Sequence, residues 1–216
     1  MKRQLTTAAV AVVLFTLVLG AGYPLAITAV SQLAFPGAAN GSKLTRDGRV
    51  VGSRLVAQAF TKPVLDARGR PRHDAAGDAL TAPDPRYFQP RPSATGYSAT
   101  ATFFANRGPN SAAARDFYRD ALAAYLALER PHDPSLTARA VPVDAVTTSG
   151  SGVDPQISIA NAHIQAHRVA AVRGIALARV DALVDQSTDG RFAGIAGEPG
   201  VNVLELDLAL DRSESR

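Results

Sequence analysis

The sequence predicts an α/β chain: a mixed α+β soluble domain, with an antiparallel or mixed sheet covered by helices, preceded by one N-terminal transmembrane helix. Three observations predict it. A charge-free stretch runs from Gln4 to Ser42 behind Lys2 and Arg3. Three later segments place apolar residues at helical spacing between capping and stop signals. The remaining segments alternate in polarity or break at Gly, Asp and Pro, as strands and turns do.

The anchor comes first. Its apolar centre runs from Leu5 to Gly20 and resumes after Tyr23-Pro24, from Leu25 to Phe35. A bilayer core needs roughly 20 apolar residues in a helix. A span over about 5–27 meets that length if the helix bends near Pro24. A cleaved leader is the rival reading. Its apolar region spans only about 7–15 residues, whereas this stretch stays apolar to Phe35. A retained anchor over 1–35 is therefore expected, with the soluble domain over 36–216. Lys2 and Arg3 on a very short N-terminus favour a cytoplasmic start and a domain outside the cytoplasm.

Asp47-Gly48 is a hairpin signal between Leu44-Thr-Arg46 and Arg49-Val-Val51. Leu55 to Phe60 reads as an extended or short helical piece. A Pro-rich loop follows over about 61–102, with no helical period. Within it, Tyr87 and Phe88 are apolar anchors and neighbouring prolines stiffen the backbone around Arg91. That combination suits a docking surface, or a loop simply fastened to the core.

Asn110 or Ser111 can cap a helix to about Glu129, with an apolar stripe through Ala114, Phe117, Ala121, Ala124 and Leu128. Val141 to Pro155 is strand-like at first. It then turns through a polar elbow, Thr147-Thr-Ser-Gly-Ser-Gly152, into an Asp154-Pro155 that can open a helix. Elbows of this kind hold ligands or dock partners, because unpaired backbone N–H groups point outward. Ser158 can cap a helix to Arg173, stopped by Gly174. A third helix is expected over Ala178 to about Ser187. The chain ends on an expected strand, Val201 to Leu210, with Leu204, Leu206, Leu208 and Leu210 on one face and Glu205 and Asp207 on the other.

Several chemistries fall away. The chain has no cysteine, so thiol catalysis, disulfides and thiolate metal sites are excluded. The net charge is +4, but its basic residues are scattered, and no basic cluster is interleaved with aromatics as nucleic-acid binding requires. His163 and His167 share a helix face, yet a third metal ligand is missing. The elbow lacks the Gly-Lys-Ser/Thr end of a phosphate loop and the Gly-x-Ser-x-Gly of a nucleophile elbow, which sets aside Ser149 or Ser151 with Asp144 as a catalytic group. Gln165 and Arg168, three apart, could grip a phosphate or carboxylate; spacing alone reads them as a solvated face. No catalytic site is expected.

These blocks together resemble the C subunit of the Kdp potassium-transporting ATPase, the KdpC family. They are Tyr87-Phe-Gln-Pro-Arg-Pro-Ser-Ala94, Val141-Pro-Val-Asp-Ala-Val-Thr-Thr-Ser-Gly-Ser-Gly152 with Asp154-Pro155, Ile157-Ser158, Asn161-Ala162, Gln165-Ala166, Arg168-Val169, Gly197-Glu-Pro199 and Val201-Asn-Val-Leu-Glu-Leu206. Gln156 stands where the family usually has His, and Asp207 where it commonly has Asn. The resemblance implies a non-catalytic accessory subunit of an ATP-driven K⁺ uptake pump in the cell's inner membrane. Its implied partners are a K⁺-binding channel-like subunit, a P-type ATPase subunit and a small membrane subunit. It also implies a catalytic-chaperone role that raises the ATPase subunit's affinity for ATP, with no cofactor held tightly by this chain. Gln165 and Arg168 match the family's nucleotide-linked Gln-x-x-Arg pair. Tyr87, Phe88, Arg91, Asp144, Ser149, Ser151 and Asp154 are the expected docking residues. An extracytoplasmic subunit docked over the outer mouth of the K⁺ pathway is the first alternative; a free-standing envelope binding or hydrolytic domain is the second.

Overall fold

A computed structural model describes residues 1–98 and 100–214. The chain divides into two units, Met1–Val51 and a second beginning at Gly52. In the first, helices α1 (Lys2–Phe15) and α2 (Tyr23–Ala34) join through a π-helical segment, Thr16–Gly22. Together they form one apolar helix, Lys2–Ala34, whose most apolar 18-residue window has a mean hydropathy of 2.2, long and apolar enough to cross a membrane. Pro24 follows closely on the π-helical segment, where the altered backbone pairing accommodates its missing N–H. A short α3 (Pro36–Ala39) follows. Asp47 and Gly48, both at positive φ, then turn the ribbon of β1 (Lys43–Arg46) and β2 (Arg49–Ser53).

The second unit opens on the stretch expected to be extended or a short helix. Residues 55–60 form no helix; only Val56 makes a bridge, to Ser53. The Pro-rich stretch is not a featureless loop. Strands β3 (Thr61–Pro63) and β4 (Thr81–Pro83) pair antiparallel. Beyond them Val64, Arg72 and Leu80 close a ring of backbone bonds: Arg72 donates to Val64, Leu80 to Arg72, and Val64 to Leu80, each at 2.8 Å. Two further small hairpins leave this ring, bridged at Leu65–Pro71 and His73–Ala79. Their turns repeat. Asp66 accepts from the N–H groups of Arg68 and Arg70, and Asp74 from those of Ala76 and Asp78. Gly69 and Gly77 take the left-handed corner of each. The result is a three-armed cloverleaf, two of its arms ending in Asp-x-x-Gly turns.

Helix α4 (Ala112–Glu129) is capped by Ser111, whose hydroxyl accepts from Ala114 N–H. Val141 to Val146 forms no strand; it makes one tight 3₁₀ turn, Val143–Ala145, because Pro142 removes a ladder donor and Asp144 is drawn toward the next helix. Asp154-Pro155 does not open a helix either. The chain passes through β5 (Gln156–Ile157), and α5 (Ile159–Arg173) starts at its Ser158 cap and stops at left-handed Gly174. Helix α6 (Leu177–Gln186) and β6 (Thr188–Asp189) follow.

The predicted C-terminal strand is corrected. Only β7 (Gly200–Asn202) is extended; α7 (Val203–Glu214) is a helix. The alternating leucines misled because α7 is enclosed on most sides: Leu204, Leu206, Asp207, Leu208 and Leu210 are all buried. Asn202 accepts from Glu205 N–H and so caps the first turn. In the three-stranded sheet, β7 lies between β5 and β6, both antiparallel to it. The core gathers Phe88, Ile157, Ala166, Val169, Val184 and Leu206, among others, where α5, α6 and α7 meet this sheet.

Candidate functional site

Helix α5 places Asn161, Gln165 and Arg168 on one face, at spacings of four and three. The expected solvated face is overturned: these residues are 1%, 1% and 0% exposed. The face packs on irregular chain, and irregular chain leaves backbone carbonyls that need donors.

Arg168 supplies them. Its Nη1 donates to the carbonyls of Pro85 (2.6 Å) and Tyr87 (2.9 Å), its Nη2 to Gln165 Oε1 (2.9 Å), and its Nε to Glu129 Oε1 and Oε2 (3.0 and 3.1 Å). Burial pushes the Glu129 carboxyl up from its ordinary value, and Arg168 pulls it back only in part. The Gln165 amide pairs with both backbone groups of Gln89, accepting its N–H at 2.7 Å and donating to its carbonyl at 3.0 Å. A side chain here completes a backbone rung.

The network continues to the elbow. Gln165 donates to Asn161 Oδ1, Tyr125 OH donates to the same oxygen, and Asn161 Nδ2 donates to Asp144 Oδ2. Asp144 also accepts from the Ser158 N–H and hydroxyl. Burial pushes the Tyr125 phenol up. Asp144 therefore fastens the chain before the elbow to the start of α5.

The loop and the elbow are also pinned to each other. Arg91 reaches Asp154 Oδ2 (3.4 Å), Thr147 Oγ1 and the Thr148 carbonyl (3.3 Å each). Ser93 Oγ donates to the Gly152 carbonyl at 2.5 Å, and Ser149 N–H donates to Pro92 O at 3.4 Å. Gly152 has φ +75°, and a Cβ there would sit 2.8 Å from the Thr95 side chain, so this crossing admits only glycine. Tyr97 OH donates to the Arg91 carbonyl, and burial pushes its phenol up to about 12. Ser151 is exposed; its Oγ accepts from Val153 N–H.

The two predicted aromatics divide. Phe88 is wholly buried, and its N–H donates to Asp207 Oδ1 at 3.0 Å. Tyr87 stacks on Phe60 at 5.4 Å with the Arg173 guanidinium 4.7 Å over its ring. Asp207 is 2% exposed, its Oδ2 has no partner among the described residues, and burial holds its carboxyl well above the ordinary range. Glu129, Asn161, Gln89 and Asp207 were missed by sequence reasoning. Only Asn161 carried a readable signal, through its register with Gln165 and Arg168.

His163 and His167 do not converge. His163 Nδ1 lies 2.9 Å from Asp181 Oδ1, and His167 is exposed. Among the described residues no group of three or more His, Asp or Glu is placed to hold a metal ion.

The family model described as KdpC: K+-transporting ATPase, c chain, matches residues 5–212. Curated relatives agree. The potassium-transporting ATPase KdpC subunit of Mycobacterium tuberculosis (strain ATCC 25618 / H37Rv) is 41% identical over 214 residues, covering 98% of this chain and 100% of the relative. Subunits of the same name from Caulobacter sp. (strain K31) and Caulobacter vibrioides (strain NA1000 / CB15N) are 44% and 43% identical, each covering 98% of this chain and 94% of the relative.

Proposed function

The chain belongs to the KdpC family, the c chains of K⁺-transporting ATPases, and from that premise we propose that it is a non-catalytic accessory subunit whose soluble domain presents a rigid docking face to its pump partners. The face is the 84–97 loop with the 147–154 elbow. The carrying observation is that Gln165 and Arg168 are consumed by the fold: each is sealed from solvent and bonded to the loop that it supports. A nucleotide phosphate would need those N–H groups free. Any rise in the ATPase subunit's affinity for ATP therefore passes through the assembly, and ATP stays on the ATPase subunit.

The channel-like K⁺-binding subunit is the docking partner in this reading, with the small membrane subunit and the bilayer around the Lys2–Ala34 helix. Lys2 and Arg3 beside the apolar stretch keep that end of it in the cytoplasm, which sets the domain outside, over the outer mouth of the K⁺ pathway. Ser151 is the reporter for this placement, since it is exposed on the elbow. In intact cells a Ser151→Cys chain lacking the pump partners, and with no other cysteine, is expected to react with an impermeant maleimide. Reaction only after lysis overturns the outside placement.

A further inference from the structure

Resting on that docking reading, we propose that the elbow carries a receptor for a carboxylate side chain from a partner subunit. The receptor is a cavity of about 450 Å³ between the 104–108 segment, Tyr118 of α4, and Thr148, Ser149 and Gly150 of the elbow. Its lining contains one charged residue, Arg107, and no acid.

Arg107 is held by an aromatic ring. Its guanidinium sits 3.7 Å from the centroid of the Phe117 ring. Stacking engages the flat face of a guanidinium and leaves its N–H edge able to donate. Among the described residues no carboxylate lies within 4 Å of Arg107; the same holds for exposed arginines such as Arg72 and Arg115, but Arg107 is half-buried and seated against the Phe117 ring. Arg107 is thus held in place by an aromatic ring and lacks only its anion.

Two other lining residues, Ser149 and Gly150, carry further donors. Ser149 is 3% exposed, yet its hydroxyl makes no hydrogen bond among the described residues, and neither does the Gly150 N–H. A guanidinium edge, a hydroxyl and a backbone N–H around one cavity suit an acceptor with two oxygens. The apolar remainder selects the source of that acceptor. Tyr118 and Phe104 line the cavity, and Phe104 and its neighbour Phe103 are 57% and 53% exposed. A charged pocket rimmed by exposed aromatics suits an Asp or Glu side chain whose stem and flanking residues cover the rings, and gives a free inorganic anion no use for them.

The test uses the full chain in the detergent-solubilised pump. Benzoylphenylalanine in place of Phe104 is photolysed and its cross-links are mapped by mass spectrometry. The expected product is a partner-subunit peptide that contains Asp or Glu. Arg107→Glu is expected to lower recovery of the partner subunits about tenfold, the scale of a lost close charge pair. Arg107→Lys falls between, and a basic residue at the mapped partner acid restores recovery with Arg107→Glu. Circular dichroism melts accompany each variant; where Arg107→Glu melts early, Arg107→Gln is read in its place. Cross-links only to the chain itself, to lipid or to a partner peptide without an acid overturn the receptor. So does wild-type recovery for both Arg107→Glu and Arg107→Gln, which leaves the docking reading standing. A wild-type chain that recovers no partner subunit overturns the docking reading itself.

Discussion

The Pro-rich stretch contains two regions that solve the same problem in opposite ways. Residues 84–97 and residues 61–83 both lack long regular structure, and both must satisfy backbone groups without a ladder. The first borrows donors and acceptors from far along the chain: Arg168 for Pro85 and Tyr87, Gln165 for Gln89, and Asp207 for Phe88. The second uses only itself, through the ring at Val64, Arg72 and Leu80 and the carboxylates of Asp66 and Asp74. Non-local bracing makes a surface whose shape depends on the core. Local bracing makes an appendage that the core can ignore.

The largest effect expected from this difference comes from Arg168. Arg168→Met leaves Glu129 buried without its cation and strips two loop carbonyls of their donor, which costs about 3–5 kcal/mol. Thermal denaturation of the full chain in detergent reads the loss directly. Adding Glu129→Met is expected to restore much of it, since a buried ion pair replaced by apolar groups of similar volume is often neutral. A single variant that melts with wild type would show that the loop is not braced from below.

Asp207 gives a smaller effect with a pH signature. Its folded-state carboxyl holds its proton more tightly than the unfolded one, because burial disfavours the charge. The stability linked to it is complete below about pH 4, the unfolded value, and declines as pH rises toward the raised folded value. Asp207→Asn keeps an acceptor for Phe88 N–H and removes that decline. Relative to wild type its unfolding free energy should rise as pH climbs from 4 to 8, by an amount on the order of 1 kcal/mol at neutral pH. A constant difference across that range would remove Asp207 from the pH dependence.

The cloverleaf is expected to respond least. Asp66→Ala with Asp74→Ala removes four hydrogen bonds to backbone N–H groups, yet the change should stay local. Hydrogen exchange at Arg68, Arg70, Ala76 and Asp78 should speed up, while the global unfolding free energy moves by less than about 1 kcal/mol. A global loss comparable with that of Arg168→Met would erase the distinction between the two regions.

The same contrast explains what the sequence disclosed. The helices at 112–129, 159–173 and 177–186 were legible because Ser111, Ser158 and Gly174 are local signals next to a local period. The braced loop was not, since Gln165 and Gln89 meet across 76 residues and no pattern links them. Its grouping with the elbow as docking residues came from resemblance alone. The cloverleaf was legible and went unread: Asp66 and Gly69 recur as Asp74 and Gly77, eight residues on. Helix α7 was misread because four alternating leucines outweighed the Asn202 cap, and because a helix buried on most sides hides its period. Arg168 looked solvated because an arginine at helical spacing usually is; only tertiary packing delivers Glu129 to it.

The ring at Val64, Arg72 and Leu80 has a practical consequence. Each arm leaves the ring and returns to it, so an arm can change length without shifting its neighbours. An epitope inserted between Arg68 and Gly69 would sit at a hairpin tip in the middle of the chain. It would leave both chain ends untouched and let the assembled pump be captured through this subunit.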